Sequence, residues 1–143
     1  MKDSIKEKIA NLLKEQRFAV IATQSKNEPY TNLVTFLVKE ELKKIYFPTL
    51  KKTKKYENLS SNSRISMLID NRGNKPKDIE KAMVVTAVGN SRETKDTNIA
   101  DDFLDKHPYL KDFIDSPDCA MIELNVEKYI VVEKFEKVTV FSF

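Results

Sequence analysis

The run Phe18-Ala19-Val20-Ile21-Ala22-Thr23 decides the fold. It is short and apolar, as a strand covered on both faces would be. Ser25-Lys26-Asn27-Glu28-Pro29 follows with turn chemistry, and Tyr30 to Lys39 reads as a second strand rich in threonine, valine and phenylalanine. Glu40-Glu41-Leu42-Lys43-Lys44 makes a polar hairpin loop before a third strand, Ile45-Tyr46-Phe47, which Pro48 ends or leaves at an edge. Arg64 to Asp70 alternates as a fourth strand, and Ala82 to Val88 is a fifth, running on toward Arg92. Ala120 to Val126 and Tyr129 to Phe143 close the chain as two more. Short links between successive strands favour antiparallel pairing, hence a six- to seven-stranded barrel rather than a doubly wound sheet.

Helices frame these strands. Ser4-x-x-Glu7 has the form of a capping box, and Ile5, Ile9, Leu12 and Leu13 follow at helical spacing, so residues 4–16 read as an amphipathic helix. Residues 53–61 form a short helix with Thr53 as N-cap. Thr97 to Lys106 forms another, stopped by Pro108, and Tyr109 to Ile114 adds a further helical turn. No repeat, low-complexity stretch or linker interrupts the 143 residues, so one domain is expected.

A chain with 41% hydrophobic and 33% charged residues should bury roughly 68–70% of its unfolded surface and fold without disulfide or metal. The lone Cys119 excludes an intramolecular disulfide and fits a reducing cytosol. The charged Met1-Lys2-Asp3-Ser4-Ile5-Lys6-Glu7 lacks a signal-peptide core, and no apolar run approaches a membrane span, so a cytoplasmic protein with no membrane partner is expected. Net charge is only +3, but Lys51, Lys52, Lys54 and Lys55 cluster, with Lys43 and Lys44 shortly before. A local basic cluster in a nearly neutral chain points to a small anion rather than nucleic acid. Aromatic residues do not alternate with these lysines as a base-stacking platform would require.

One histidine, His107, and one cysteine cannot build a zinc site of ordinary spacing. His107, ahead of Pro108, reads as a surface residue at a helix end. A Cys119–His107 nucleophilic pair would lack a group to orient the imidazole, and Cys119 reads as a small packing residue. With only Gly73 and Gly89, neither a phosphate loop nor a dinucleotide fingerprint can form. Any phosphate must then be held by side chains and helix-end amides, which singles out Thr49-Leu50-Lys51-Lys52-Thr53-Lys54-Lys55. Lys54 and Lys55 oppose the helix dipole by about 0.3–1 kcal/mol each, and a bound phosphate would reverse that sign. A solvated basic loop accounts for the segment equally well by itself. In Tyr30-Thr31-Asn32-Leu33-Val34-Thr35, Thr31 and Asn32 interrupt an apolar strand. They mark either a wet face or donors aimed at the polar edge of a flat ligand.

Together these segments resemble the FMN-binding split-barrel family named after pyridoxamine phosphate oxidase. The likeness runs through Arg17 to Thr23, Glu28-Pro29-Tyr30-Thr31-Asn32-Leu33-Val34 and Ile45-Tyr46-Phe47-Pro48-Thr49. It is closest over Thr53-Lys54-Lys55-Tyr56-Glu57-Asn58-Leu59 and Asn62-Ser63-Arg64-Ile65-Ser66, and continues through His107-Pro108 to Cys119-Ala120 and Tyr129-Ile130-Val131-Val132. The resemblance implies a mainly β (α+β) antiparallel split barrel binding FMN. Thr49, Thr53, Lys54 and Lys55 would hold the phosphate. Asn32, Leu33 and Val34 would line the isoalloxazine ring, and Asn58 would reach the cofactor from the short helix. It also implies a homodimer with cofactor at the interface. Many members carry arginine where Asn32 and Lys54 stand, so cofactor affinity should be modest. The Arg-x-His motif of the name-giving oxidase is missing from Val138-Thr139-Val140-Phe141-Ser142-Phe143, so vitamin B6 oxidation is not expected. The implied activity is an FMN oxidoreductase acting on a small molecule, with no catalytic residue identifiable. The alternatives are a deazaflavin in place of FMN, or a non-catalytic flavin- or haem-binding module with His107 as the available imidazole.

Overall fold

The computed structural model describes residues 2–143. In chain order the elements are α1 (Lys2–Glu15), β1 (Phe18–Ser25), β2 (Glu28–Thr35), β3 (Leu37–Lys39), β4 (Lys44–Leu50), α2 (Lys54–Ser61), β5 (Arg64–Asp70) and α3 (Asp78–Lys81). They continue with β6 (Met83–Thr94), α4 (Thr97–Lys106), a 3-10 turn (Pro108–Leu110), α5 (Lys111–Asp115), β7 (Cys119–Glu133) and β8 (Lys137–Ser142). All eight strands join one antiparallel sheet in the order β2-β1-β5-β6-β7-β4-β3, with β8 added to β7. Its two end strands, β2 and β3, are separated in sequence by Phe36 alone. The edges of the sheet therefore meet at Phe36, and the barrel has its seam there.

The local chemistry explains the path. Lys26 and Asn27 both adopt left-handed backbone, φ 52° and 65°, and form the two-residue turn that joins β1 to β2. β6 and β7 are long, and their register shifts between Val88 and Gly89. A Cβ on Gly89 would lie 1.9 Å from the Asn125 carbonyl oxygen, so only glycine allows this approach. Beyond the shift the first half of β7 pairs with β4 and its second half with β8. One inward row shows the core: Ile21, Met67, Ala87, Tyr129 and Phe141 pair across five strands, all buried. Ile9, Leu12 and Leu13 of α1 complete it, as the helical spacing predicts.

Four details depart from the sequence reading. The first helix is already running at Lys2, so Ser4 lies inside it and is not its cap. Pro48 sits within β4, paired with Met121; its missing N–H is tolerated because β3 covers only Lys44 to Tyr46 on the other side. The single strand expected over Tyr30 to Lys39 breaks at Phe36 into β2 and β3. The segment from Tyr129 onward divides between the end of β7 and β8, around a turn with Lys134 and Phe135 at positive φ. The sheet accordingly has eight strands. Among the described residues no helix is long and apolar enough to cross a membrane.

Candidate functional site at the start of α2 and the edge strand β2

Thr53 caps α2 as expected: its hydroxyl accepts the Tyr56 N–H at 3.2 Å and donates to the Leu50 carbonyl at 2.8 Å. The Thr49 hydroxyl, itself buried, lies 3.4 Å from that of Thr53. These two oxygens thus brace the β4–α2 turn, and the donors left for an anion are the first-turn amides and the two lysines. Lys54 is exposed. Lys55 is the unusual one: it is only 8% exposed, and among the described residues it has no ion-pair or hydrogen-bond partner. Burial pushes its ammonium pKa down from the usual lysine range. Its Nζ is not among the enclosed unpartnered polar atoms, so the stem is buried while the ammonium, lacking a counter-charge, stays reachable by an anion.

Lys55, Asn58 and Leu59 share the buried face of α2. The Asn58 amide donates to the buried Thr23 hydroxyl on β1 at 3.1 Å, so it fastens the helix to the barrel. Thr23 pairs with Tyr30 on β2, two residues before Asn32. The two parts of the expected site therefore flank the same strand, β1. Strand alternation divides the other three residues. Asn32 and Val34 point inward, opposite Ile21 and Ala19, whereas Leu33 points outward and is 61% exposed. The Asn32 Oδ1 atom is buried without a hydrogen-bond partner. β2 ends the sheet, so one side of its backbone has no strand partner.

These features fit a flat ligand bearing a phosphate: a lysine at a helix start whose stem is buried and whose charge has no partner, and an orphaned amide oxygen beside an open strand edge. Cavities of the single chain lie elsewhere: one of about 630 Å³ between α1 and the β3–β4 turn, one of about 470 Å³ beside the β5–α3 loop, and one of about 460 Å³ between α1 and β8.

Of the buried polar residues, Glu123 escaped the sequence reading and His107 was read as exposed. Glu123, on β7, accepts from the Tyr46 hydroxyl at 3.0 Å and the Arg92 guanidinium at 2.6 Å, with the Lys44 ammonium at 3.4 Å. Burial raises its carboxyl pKa, but these partners outweigh it and hold the group below the usual carboxylate range. Tyr46, Glu123 and Arg92 are cross-strand neighbours, which only the register reveals. His107 is wholly buried, not on the surface as its position before Pro108 suggested. Its Nε2 lies 2.9 Å from the Phe36 carbonyl and its ring 4.7 Å from that of Phe103. The barrel seam leaves that carbonyl between two strands, in need of a donor, and His107 supplies it. Burial holds the imidazole below its usual pKa. Cys119 takes no part in these contacts; it pairs with Leu50 in the ladder, and burial pushes its thiol up.

Known proteins share this architecture. A structure from Clostridium acetobutylicum, related to general stress protein 26 and described as of the pyridoxinephosphate oxidase family, superposes with TM-score 0.78 at 18% identity. That match covers 100% of this chain and 97% of the other. A haem-binding protein from Mycobacterium smegmatis gives TM-score 0.83 at 17% identity over 96% of this chain, which spans 57% of that longer protein. An FAD-binding protein from Mesorhizobium loti gives 0.71 at 16% identity, over 87% of this chain and 91% of that one. Among curated proteins none matches the sequence. The family model described as pyridoxamine 5'-phosphate oxidase matches residues 5–133, nearly the whole barrel, and the chain accordingly belongs to that family.

Proposed function

We propose that the chain is an FMN-binding flavoprotein that works as a homodimer and passes a hydride or electrons between FMN and a small substrate. The observation that carries this reading is Lys55, buried at the first turn of α2 with no counter-charge. Its ammonium, the amides of the first helical turn and exposed Lys54 would hold the phosphate, while Thr49 and Thr53 keep the turn in shape. Asn32 Oδ1 and the open edge of β2 would meet the polar rim of the ring, with Val34 behind it. When bound, FMN supplies the redox chemistry at N5, and the protein contributes position and donors around it.

The dimer has its own support. The outward residues Leu33, Val20, Leu68, Thr86, Ile130 and Val140 form one registered row across β2, β1, β5, β6, β7 and β8. Leu33 and Val140, at its two ends, are 61% and 58% exposed. Apart from Thr86 the row is apolar, and such a strip is what an interface leaves uncovered in a lone chain. A second copy lying on it would abut Leu33, and so wall the ring-binding strand. The haem reading is the weaker one, because buried His107 already has Nε2 against the Phe36 carbonyl.

The test is the absorption spectrum and mass of the ligand that co-purifies. Flavin bands with the mass of FMN, bleached by a nicotinamide donor, would support the oxidoreductase reading. A deazaflavin mass would keep the site and change the cofactor. A colourless chain that takes up neither would overturn both.

A further inference from the structure

We propose that the cavity between α1, β3 and the β3–β4 turn is a second ligand site, one that takes a single alkyl chain ending in a carboxylate. This cavity has a volume of about 630 Å³, within the range of small-molecule sites. Ala10 and Leu13 of α1 form one wall, and Leu37, Val38 and Leu42 the other. Lysines ring it: Lys6, Lys14, Lys39 and Lys106.

The charges around the opening do not balance. Lys6 pairs with Glu41, Lys39 with Asp102, and Glu40 is used by Lys44. Lys14 and Lys106 have no carboxylate partner among the described residues. The Lys106 ammonium donates to the Leu13 carbonyl at 3.1 Å and sits 4.1 Å from the centre of the Phe36 ring. An ammonium has three donors, so two remain for an incoming oxygen. Burial, with the Arg17 charge behind it, lowers its pKa to about 8. An anion at the opening would relieve that strain, while the walls accept only an apolar chain.

The opening is also built at a conformational cost. Glu40, Glu41 and Leu42 all have positive φ, at 53°, 52° and 76°, in a turn without glycine. Such strained backbone persists where its surroundings fix it and gathers at ligand clamps. Here Leu42 is buried, and its carbonyl accepts from the Tyr129 hydroxyl at 2.6 Å. The phosphate end of the proposed flavin site lies at the far end of β4: six residue steps separate Lys44, beside this opening, from Leu50, about 20 Å along the strand.

The test titrates the full chain with dodecanoate, with dodecanol and with inorganic phosphate by calorimetry. Dodecanoate should saturate at one per chain, dodecanol should bind at least about tenfold more weakly, and phosphate should not compete, as one charge-assisted bond implies. Lys106→Met keeps the buried stem but removes the charge, and should weaken dodecanoate by at least about tenfold. FMN affinity should be unchanged in that variant. Ala10→Trp should fill the cavity and abolish binding; if that variant does not fold, Lys106→Met decides. No binding of dodecanoate, equal affinity for acid and alcohol, or an unchanged Lys106→Met titration would overturn the proposal.

Discussion

Glu123 and Lys55 are both charged residues at buried positions, and they are handled in opposite ways. Glu123, 2% exposed, is met by three partners from β4 and β6. Lys55, 8% exposed, is met by none. A buried charge whose partners all come from its own chain is a completed structure, and removing it should cost stability. One left without partners is tolerated at a loss in stability, and removing its charge should cost binding instead. The difference separates a residue that holds the barrel together from one that awaits an anion.

The comparison can be broken at several points. Lys54→Ala with Lys55→Ala should weaken FMN binding by about two to four orders of magnitude, since hydrogen bonds to charged groups contribute about 1.5–3 kcal/mol each. The fold, followed by circular dichroism, should survive; unchanged FMN affinity would remove the phosphate assignment. Glu123→Leu should do the reverse. It leaves the Tyr46 hydroxyl buried without an acceptor, at about 1–3 kcal/mol in chemical denaturation, with FMN affinity kept. Loss of FMN binding in that variant would erase the contrast.

The seam gives a third, pH-dependent case. His107 is held neutral in the fold, its pKa below the ordinary 6.5, while in the unfolded chain it protonates normally. Stability from this residue is therefore complete above pH 6.5 and is lost as pH falls toward the lowered value. The slope is at most about 1.4 kcal/mol per pH unit. His107→Gln should flatten the stability profile over that window, before carboxylates dominate; an identical profile would contradict the assignment. The smallest effect should come from Thr53→Ala. Losing the N-cap costs about 1 kcal/mol, and FMN affinity should fall only as far as the α2 turn loosens.

Much of the barrel was legible because most of its strands are short and joined by recognisable turns. Lys26-Asn27 and the polar Glu40–Lys44 loop carry that information locally. What the sequence could not show depends on register or on distant contact. Pro48 suggested a strand end because the length of β3, which frees its edge, is not a local property. His107 looked exposed because its acceptor, the Phe36 carbonyl, is created only when β2 and β3 part at the seam. For the site, Thr53 as N-cap and the lysines at the start of α2 were readable. The burial of Lys55 was not, and neither was the alternation that sends Leu33 outward while Asn32 and Val34 face in. The bond from the Asn58 amide nitrogen to Thr23, 35 residues away, was also beyond a local reading.

The most direct measurement is an FMN titration of Lys55→Met beside the unaltered chain, with thermal stability of both recorded without FMN. Methionine keeps the buried stem and deletes the charge. FMN affinity should fall at least about tenfold while the flavin-free melting temperature stays equal or rises. If FMN binds the variant as tightly as the parent, Lys55 is not the phosphate's counter-charge and the account fails.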